Sequence, residues 1–147
     1  MTTKCWIFDI DGTLADCSHR LHHIQKTPKN WTAFFAEVRW DAPIKHMVEL
    51  AMQLERGADP IVFVSGRSSE CRYGTKDWLF DHLGSAGPLY MRQAGDHRDD
   101  SIVKIEILEH LRRDGWEPIM VFDDRDRVVK AWRAAGIPCA QVAEGDF

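Results

Sequence analysis

Asp9 and Asp11 stand two residues apart at the end of the apolar run Cys5-Trp6-Ile7-Phe8, in the segment Asp9-Ile10-Asp11-Gly12-Thr13-Leu14. In an extended chain, residues i and i+2 project to the same side, so the two carboxylates are expected to lie together. Like charges held side by side are costly unless a cation or a difference in protonation relieves them. Gly12 allows the chain to turn sharply just beyond. A plain Asp-Gly turn at a strand end would share this local pattern, so the weight rests on three later stretches. Ser65-Gly66-Arg67 follows the apolar run Ile61-Val62-Phe63-Val64, Arg92 follows Leu89-Tyr90-Met91, and Asp123-Asp124-Arg125 follows Ile119-Met120-Val121-Phe122. Lys104 adds an amine, with Asp100 at the i,i+4 spacing of a helical ion pair.

This set suits phosphoryl transfer through an aspartate. A carboxylate can attack phosphorus and form an aspartyl-phosphate, and a second can protonate the leaving alcohol and then activate water. Nucleophile and substrate are both anionic, so a divalent cation on hard oxygen ligands is needed to remove the repulsion. A hydroxyl such as Ser65, nearby backbone amides and a lysine can stabilise the equatorial oxygens of the transferring group.

The elements that must position these groups are legible as alternating strands and helices. Gly57, Gly84, Gly115 and Gly136 each close a helical pattern, and each precedes a proline (Pro60, Pro88, Pro118, Pro138) that opens a short apolar run. Helical faces are marked by Ile44, Met47, Val48, Ala51 and Leu54; by Cys71, Trp78, Leu79 and His82; by Val103, Ile107, Leu108 and Leu111; and by Val128, Val129, Trp132 and Ala135. A last run, Cys139-Ala140-Gln141-Val142, completes the strands. Such alternation predicts an α/β fold with a central parallel sheet covered on both faces, and a site beyond the carboxyl ends of its strands.

A chain of 147 residues fits one domain, here spanning 1–147. Its 44% hydrophobic and 29% charged residues are those of a globular protein, and a formal net charge of −4 offers no broad basic surface for duplex nucleic acid. Cys5, Cys17, Cys71 and Cys139 are too scattered for a metal knuckle and read as reduced thiols. No apolar run reaches membrane-spanning length and the first strand starts near residue 4, so a cytoplasmic protein without a membrane partner is expected.

The segment from about 16 to 41 breaks the rhythm and reads as a small helical insertion after the first strand. It carries His19, Arg20, His22, His23, Lys26 and Lys29, then Trp31, Phe34, Phe35 and Val38 at helical spacing. Those aromatics either pack on the main domain or form a cap that stacks on a base; the pattern alone allows both.

The motifs Asp9-Ile10-Asp11-Gly12-Thr13, Ser65-Gly66-Arg67, Lys104 and Asp123-Asp124 resemble the four motifs of the haloacid dehalogenase (HAD) superfamily of phosphohydrolases, in order and over nearly the whole chain. Arg20, Asp100, Trp132-Arg133, Gln141-Val142 and Gly145-Asp146-Phe147 narrow the resemblance to the 3′-phosphatase domains of bacteriophage polynucleotide kinase-phosphatases. The resemblance implies a Rossmann-like three-layer sandwich. It implies Asp9 as nucleophile, Asp11 as general acid-base, and Lys104, Ser65, Gly66, Arg67 and Thr13 around the phosphate or nucleophile. Arg20 would meet the substrate and Asp100 would orient Lys104 or Arg67. Mg²⁺ would be held by Asp9, Asp123, Asp124 and the backbone carbonyl of Asp11, with either late aspartate as the direct ligand. The implied substrate is a 3′-phosphorylated nucleic acid end, the alternative a free nucleotide or another small phosphomonoester. Gly-Lys never occurs, so no GxxxxGK[ST] loop is present, and a kinase or ligase partner would be separate. A receiver-type signalling domain fits poorly, because there the paired acids follow the first strand and the lysine comes last.

Overall fold

The computed structural model describes residues 1–85 and 87–147. Strand β1 (Thr3–Phe8) leads into a short β2 (Ala15–Asp16), helices α1 (His22–Gln25) and α2 (Trp31–Ala36), and β3 (Ala42–Pro43). Then α3 (Lys45–Glu55), β4 (Ile61–Ser68), α4 (Arg72–Leu83), β5 (Leu89–Arg92), α5 (Asp100–Arg113), β6 (Trp116–Asp123), α6 (Asp126–Ala134) and β7 (Cys139–Gln141) alternate to the end of the chain. The five long-range strands form one parallel sheet in the order β5-β4-β1-β6-β7.

This order follows from burial on both faces. Alternate residues of β1 and β4 enter different cores, because successive side chains of a strand point to opposite sides. Phe8, Ile61 and Phe63 pack with Met47, Ala51, Trp78 and Leu79 of α3 and α4. Cys5, Ile7, Val62 and Val64 pack with Val103, Leu108, Val128 and Trp132 of α5 and α6. The result is the three-layer, Rossmann-like arrangement expected from the pattern. Among the described residues, no helix is long and apolar enough to cross a membrane.

The chain leaves β1 for β4 on one side and later returns to β6 on the other. The carboxyl end of β1 is therefore the point where strand order reverses, and a crevice opens there. The excursion after β1 is closed at its base by antiparallel pairing of Ala15 with Pro43 and Asp16 with Ala42. Asn30 caps α2 by accepting from the Ala33 amide at 3.0 Å. The aromatic helix ends at Ala36 and the chain tightens into a 3₁₀ turn over Val38–Trp40. Phe34 and Val38 are buried, while Trp31 stays 46% exposed. The insertion therefore packs through part of its aromatic face and presents the rest to solvent.

Candidate active site

Asp9, Asp123 and Asp124 converge at the ends of β1 and β6. One carboxylate oxygen from each lies within 4.8 Å of the others, and all three residues are buried. Lys104 comes from the first turns of α5, below the same strand ends. Its ammonium donates to Asp9 Oδ1 at 2.8 Å and to Asp123 Oδ2 at 2.8 Å. Burial opposes charge on the amine, but Asp123 and Asp9 outweigh it, so Lys104 stays protonated well above the ordinary lysine range. Burial also acts on Asp9, and repulsion from Asp123 adds to it. Lys104 only partly offsets these, and the Asp9 carboxyl is pushed well above its usual range.

Three buried carboxylates and one ammonium leave negative charge uncompensated. The donors are carboxylates, with neither histidine nor cysteine among them. That chemistry fits a hard divalent cation such as Mg²⁺. The two late aspartates are not equivalent. Asp123 accepts from Lys104, from the Trp132 indole at 3.3 Å, and from the amides of Asp124 and Arg125 at 2.9 and 3.3 Å. Asp124 accepts from Thr13 Oγ1 at 3.3 Å, and the same hydroxyl lies 3.2 Å from Asp9 Oδ2. Gly12 is required here: its φ is +79°, and a Cβ on it would sit 2.2 Å from Asp124 Oδ2.

The Asp11 carboxylate does not join Asp9. Strand β1 ends at Phe8, the Asp9 amide still donates to the Phe122 carbonyl at 3.0 Å, and Ile10 begins a tight turn in which its carbonyl accepts the amides of Thr13, Leu14 and Ala15. Asp11 lines the same cleft as Asp9 but takes its own partners. It accepts from Arg67 Nη2 at 2.6 Å and Nε at 3.0 Å, and from Arg20 Nη2 at 3.1 Å. Burial favours the neutral acid, but Arg67 first and Arg20 and Lys104 after it hold the carboxyl below its usual range.

Arg20 is a second correction. Instead of facing substrate it is 0% exposed. It donates to both oxygens of Asp41, at 2.7 and 2.9 Å, and lies 4.2 Å from the centroid of the Phe34 ring. A guanidinium so flanked is a positioning group for Asp11. Asp41 itself was missed in the sequence. It is buried, it binds Arg20, Arg67 and His19 together, and its backbone carbonyl accepts from the Trp78 indole at 2.8 Å. Its only sequence signal was an acid just ahead of Ala42-Pro43, where the insertion returns.

Asp100 is a third correction. It pairs neither with Lys104 nor with Arg67; its Oδ1 accepts from Arg92 at 2.6 Å and its Oδ2 from Arg125 at 3.2 Å. Lys104 finds stronger partners across the sheet than one turn back along its own helix. Ser65 is buried, and its Oγ accepts the Arg67 amide at 3.1 Å. Gly66 carries no side chain because Asp100 fills the space, 2.1 Å from where its Cβ would be. Arg67 completes its bonding with Asp41 and Thr75, at 2.7 and 3.1 Å. The cleft above these residues has a volume of about 690 Å³.

Comparison with known proteins gives a consistent result. Residues 3–147 match the family model described as the polynucleotide kinase PNKP phosphatase domain. A protein of Autographa californica nuclear polyhedrosis virus, provisionally named a bifunctional polynucleotide kinase/RNA ligase, is 30% identical over 132 residues, which is 88% of this chain and 18% of the viral protein. A chain of the Pnkp1/Rnl/Hen1 complex superposes with a TM-score of 0.83 at 27% identity, over 99% of this chain and 47% of that one. This chain thus spans less than half the length of those relatives. A haloacid dehalogenase-like hydrolase from Streptococcus pneumoniae shares the fold at 12% identity, with a TM-score of 0.67 over 95% of this chain and 84% of that one.

Proposed function

Because this chain belongs to the PNKP phosphatase-domain family, and is thereby a HAD-type phosphatase, we propose that it is a Mg²⁺-dependent phosphomonoesterase that removes 3′-phosphates from polynucleotide ends. One observation carries the chemical part. The Asp9 carboxylate is held by Lys104 and Thr13 among buried acids, while the Asp11 carboxylate is held apart by Arg67 and Arg20. A divalent cation on the acid cluster would return Asp9 to its ionised, nucleophilic form, while Asp11 stands outside that cluster, where it can exchange a proton.

Asp9 is the nucleophile: an oxygen of its carboxylate bonds to phosphorus as the bond from phosphorus to the ester oxygen breaks. The leaving oxygen takes a proton from Asp11. Water then attacks the aspartyl-phosphate, passes a proton to Asp11, and Asp9 is released with inorganic phosphate. Arg67 and Arg20 favour the ionised form of Asp11, the form needed to activate water. A phosphate dianion arriving beside Arg67 competes for that guanidinium and raises the proton affinity of Asp11, the form needed to protonate an alcohol. Asp124 and Asp9, with the backbone carbonyl of Asp11, would hold Mg²⁺. When bound, the ion neutralises the charge between nucleophile and phosphate. Asp123, whose oxygens already accept four donors, instead keeps Lys104 over Asp9.

The family and the names of the relatives support a nucleic acid end as substrate, and support a kinase or ligase activity acting beside this one. A 3′-phosphorylated oligonucleotide should be hydrolysed faster than its 5′-phosphorylated counterpart and faster than nucleoside 5′-monophosphates, with activity lost on chelation and restored by Mg²⁺. Faster turnover of 5′-nucleotides would overturn the assignment of substrate. Single-turnover hydrolysis in ¹⁸O-water should place label in the Asp9 carboxylate; label absent from Asp9 would rule out the covalent step.

A further inference from the structure

The catalytic cleft extends beyond the carboxylates. Its volume of about 690 Å³ lies in the range that takes an organic ligand of drug size, more than a lone phosphate needs. Helix α2 forms one wall with Trp31, Thr32, Phe34 and Phe35, and the loop before α5 forms another with His97 and Arg98. The first wall is apolar and aromatic, with Thr32 as its polar side chain.

Trp31 is 46% exposed, although aromatic neighbours stand behind it. Phe34 meets it edge-on at 5.7 Å between centroids, and Phe35 lies at 5.8 Å. Phe34 is in turn pinned under the guanidinium of Arg20, which bonds Asp11 and Asp41. The indole is therefore backed by rings that are tied to the catalytic network. Trp31 also borders a second, shallower depression formed by residues 26–32 on the outside of the insertion. The Lys29 ammonium sits 5.8 Å from the Trp31 ring, and Lys26 lines the same depression. Trp31 thus divides the phosphatase cleft from a cationic surface.

A polynucleotide end presents these features in the same order: a terminal phosphate, then a flat base, then an anionic phosphodiester. We infer that Trp31 is the stacking platform for the terminal nucleobase of an unpaired 3′-phosphorylated strand, and that Lys29 with Lys26 takes the next phosphodiester. This rests on the substrate reading given under Proposed function. Stacking on an aromatic ring tolerates any base, and the wall offers little besides Thr32 to read a base edge, so the site selects a nucleotide without selecting its sequence.

The test compares two 3′-phosphorylated tetranucleotides, one normal and one abasic at the 3′-terminal position, with glycerol 2-phosphate as a third substrate. The wild-type protein should favour the normal tetranucleotide in kcat/KM by about ten- to a hundred-fold, the size of one base–aromatic stack. Trp31→Ala should bring that ratio close to one, and Trp31→Phe should retain most of it. Lys29→Ala should reduce the salt dependence of binding by about one released ion. Equal rates on the two tetranucleotides in the wild type, or equal losses on both in Trp31→Ala, overturn the platform. An unchanged salt slope in Lys29→Ala overturns the placement of the phosphodiester. Turnover of glycerol 2-phosphate with neither tetranucleotide hydrolysed overturns the polynucleotide reading, and this inference with it.

Discussion

Asp41 Oδ2 accepts a hydrogen bond from Arg67 Nη2 at 2.7 Å, joining the return of the insertion to the strand that carries the second motif. The same aspartate binds Arg20, so the two guanidiniums that hold Asp11 share one buried counterion. An insertion of otherwise irregular chain thereby becomes part of the site.

Removing that counterion should be costly. Asp41→Ala leaves Arg20 and Arg67 buried with less compensation, a defect on the order of 3–5 kcal/mol. The melting temperature should fall by roughly 10 °C, and phosphatase activity should fall with it, because Asp11 loses its fixed partners. Thermal melts followed by circular dichroism check the first part. A melting temperature within a degree of the wild type would show that Asp41 is not the keystone of the network.

The two late aspartates should separate cleanly in metal binding. Saturating Mg²⁺ should stabilise the wild type, by about 2.7 kcal/mol at a hundred times the dissociation constant. Asp124→Asn should abolish that stabilisation. Asp123→Asn should keep a measurable part of it while lowering the metal-free melting temperature, because Lys104 and the Trp132 indole lose a charged acceptor. Scanning calorimetry with EDTA or Mg²⁺ distinguishes them, and the reverse pattern would exchange their roles.

Gly66→Ala should disturb the site although it adds one methyl group. The new Cβ would displace Asp100, which holds Arg92 and Arg125. Overpacking of this kind costs about 1–3 kcal/mol. In an Asp100→Ala background the same substitution should cost much less, as expected for residues in contact. Equal costs in both backgrounds would assign the defect to the backbone of β4.

Acid should act on stability through Asp11. Its folded-state carboxyl lies below the usual value because Arg67, Arg20 and Lys104 overcome burial. The stabilisation from this group is therefore complete above the unfolded-state value of about 3.9, and is lost as pH falls through the lower folded value. In metal-free buffer, the stability gap between wild type and Asp11→Asn should be constant from pH 7 to 5 and shrink below about pH 4. Urea titrations across that range measure it. A gap independent of pH would mean that the arginines do not favour the ionised form.

Much of this molecule is written in local pattern. Apolar runs bounded by glycine and proline determined the strands, and helical spacing of residues such as Val103, Ile107 and Leu111 determined the faces of the helices. Parallel order and a crevice at the strand ends follow from burying both faces of such a sheet. Gathering Asp9, Lys104, Asp123 and Asp124 needed only that each lie near the carboxyl end of a strand or the start of a helix. Partnership among the charged groups was decided by tertiary structure. Asp9 and Asp11 take different partners, and Lys104 turns from Asp100 to acids far along the chain. Arg20 is enclosed by Asp41 and Phe34. A buried charge takes whichever opposite charge the packed fold brings within hydrogen-bonding distance. Helix and strand periodicity encodes only nearest neighbours along one element, so pairings such as Arg67 with Asp41 exist only once the insertion has folded back onto the sheet.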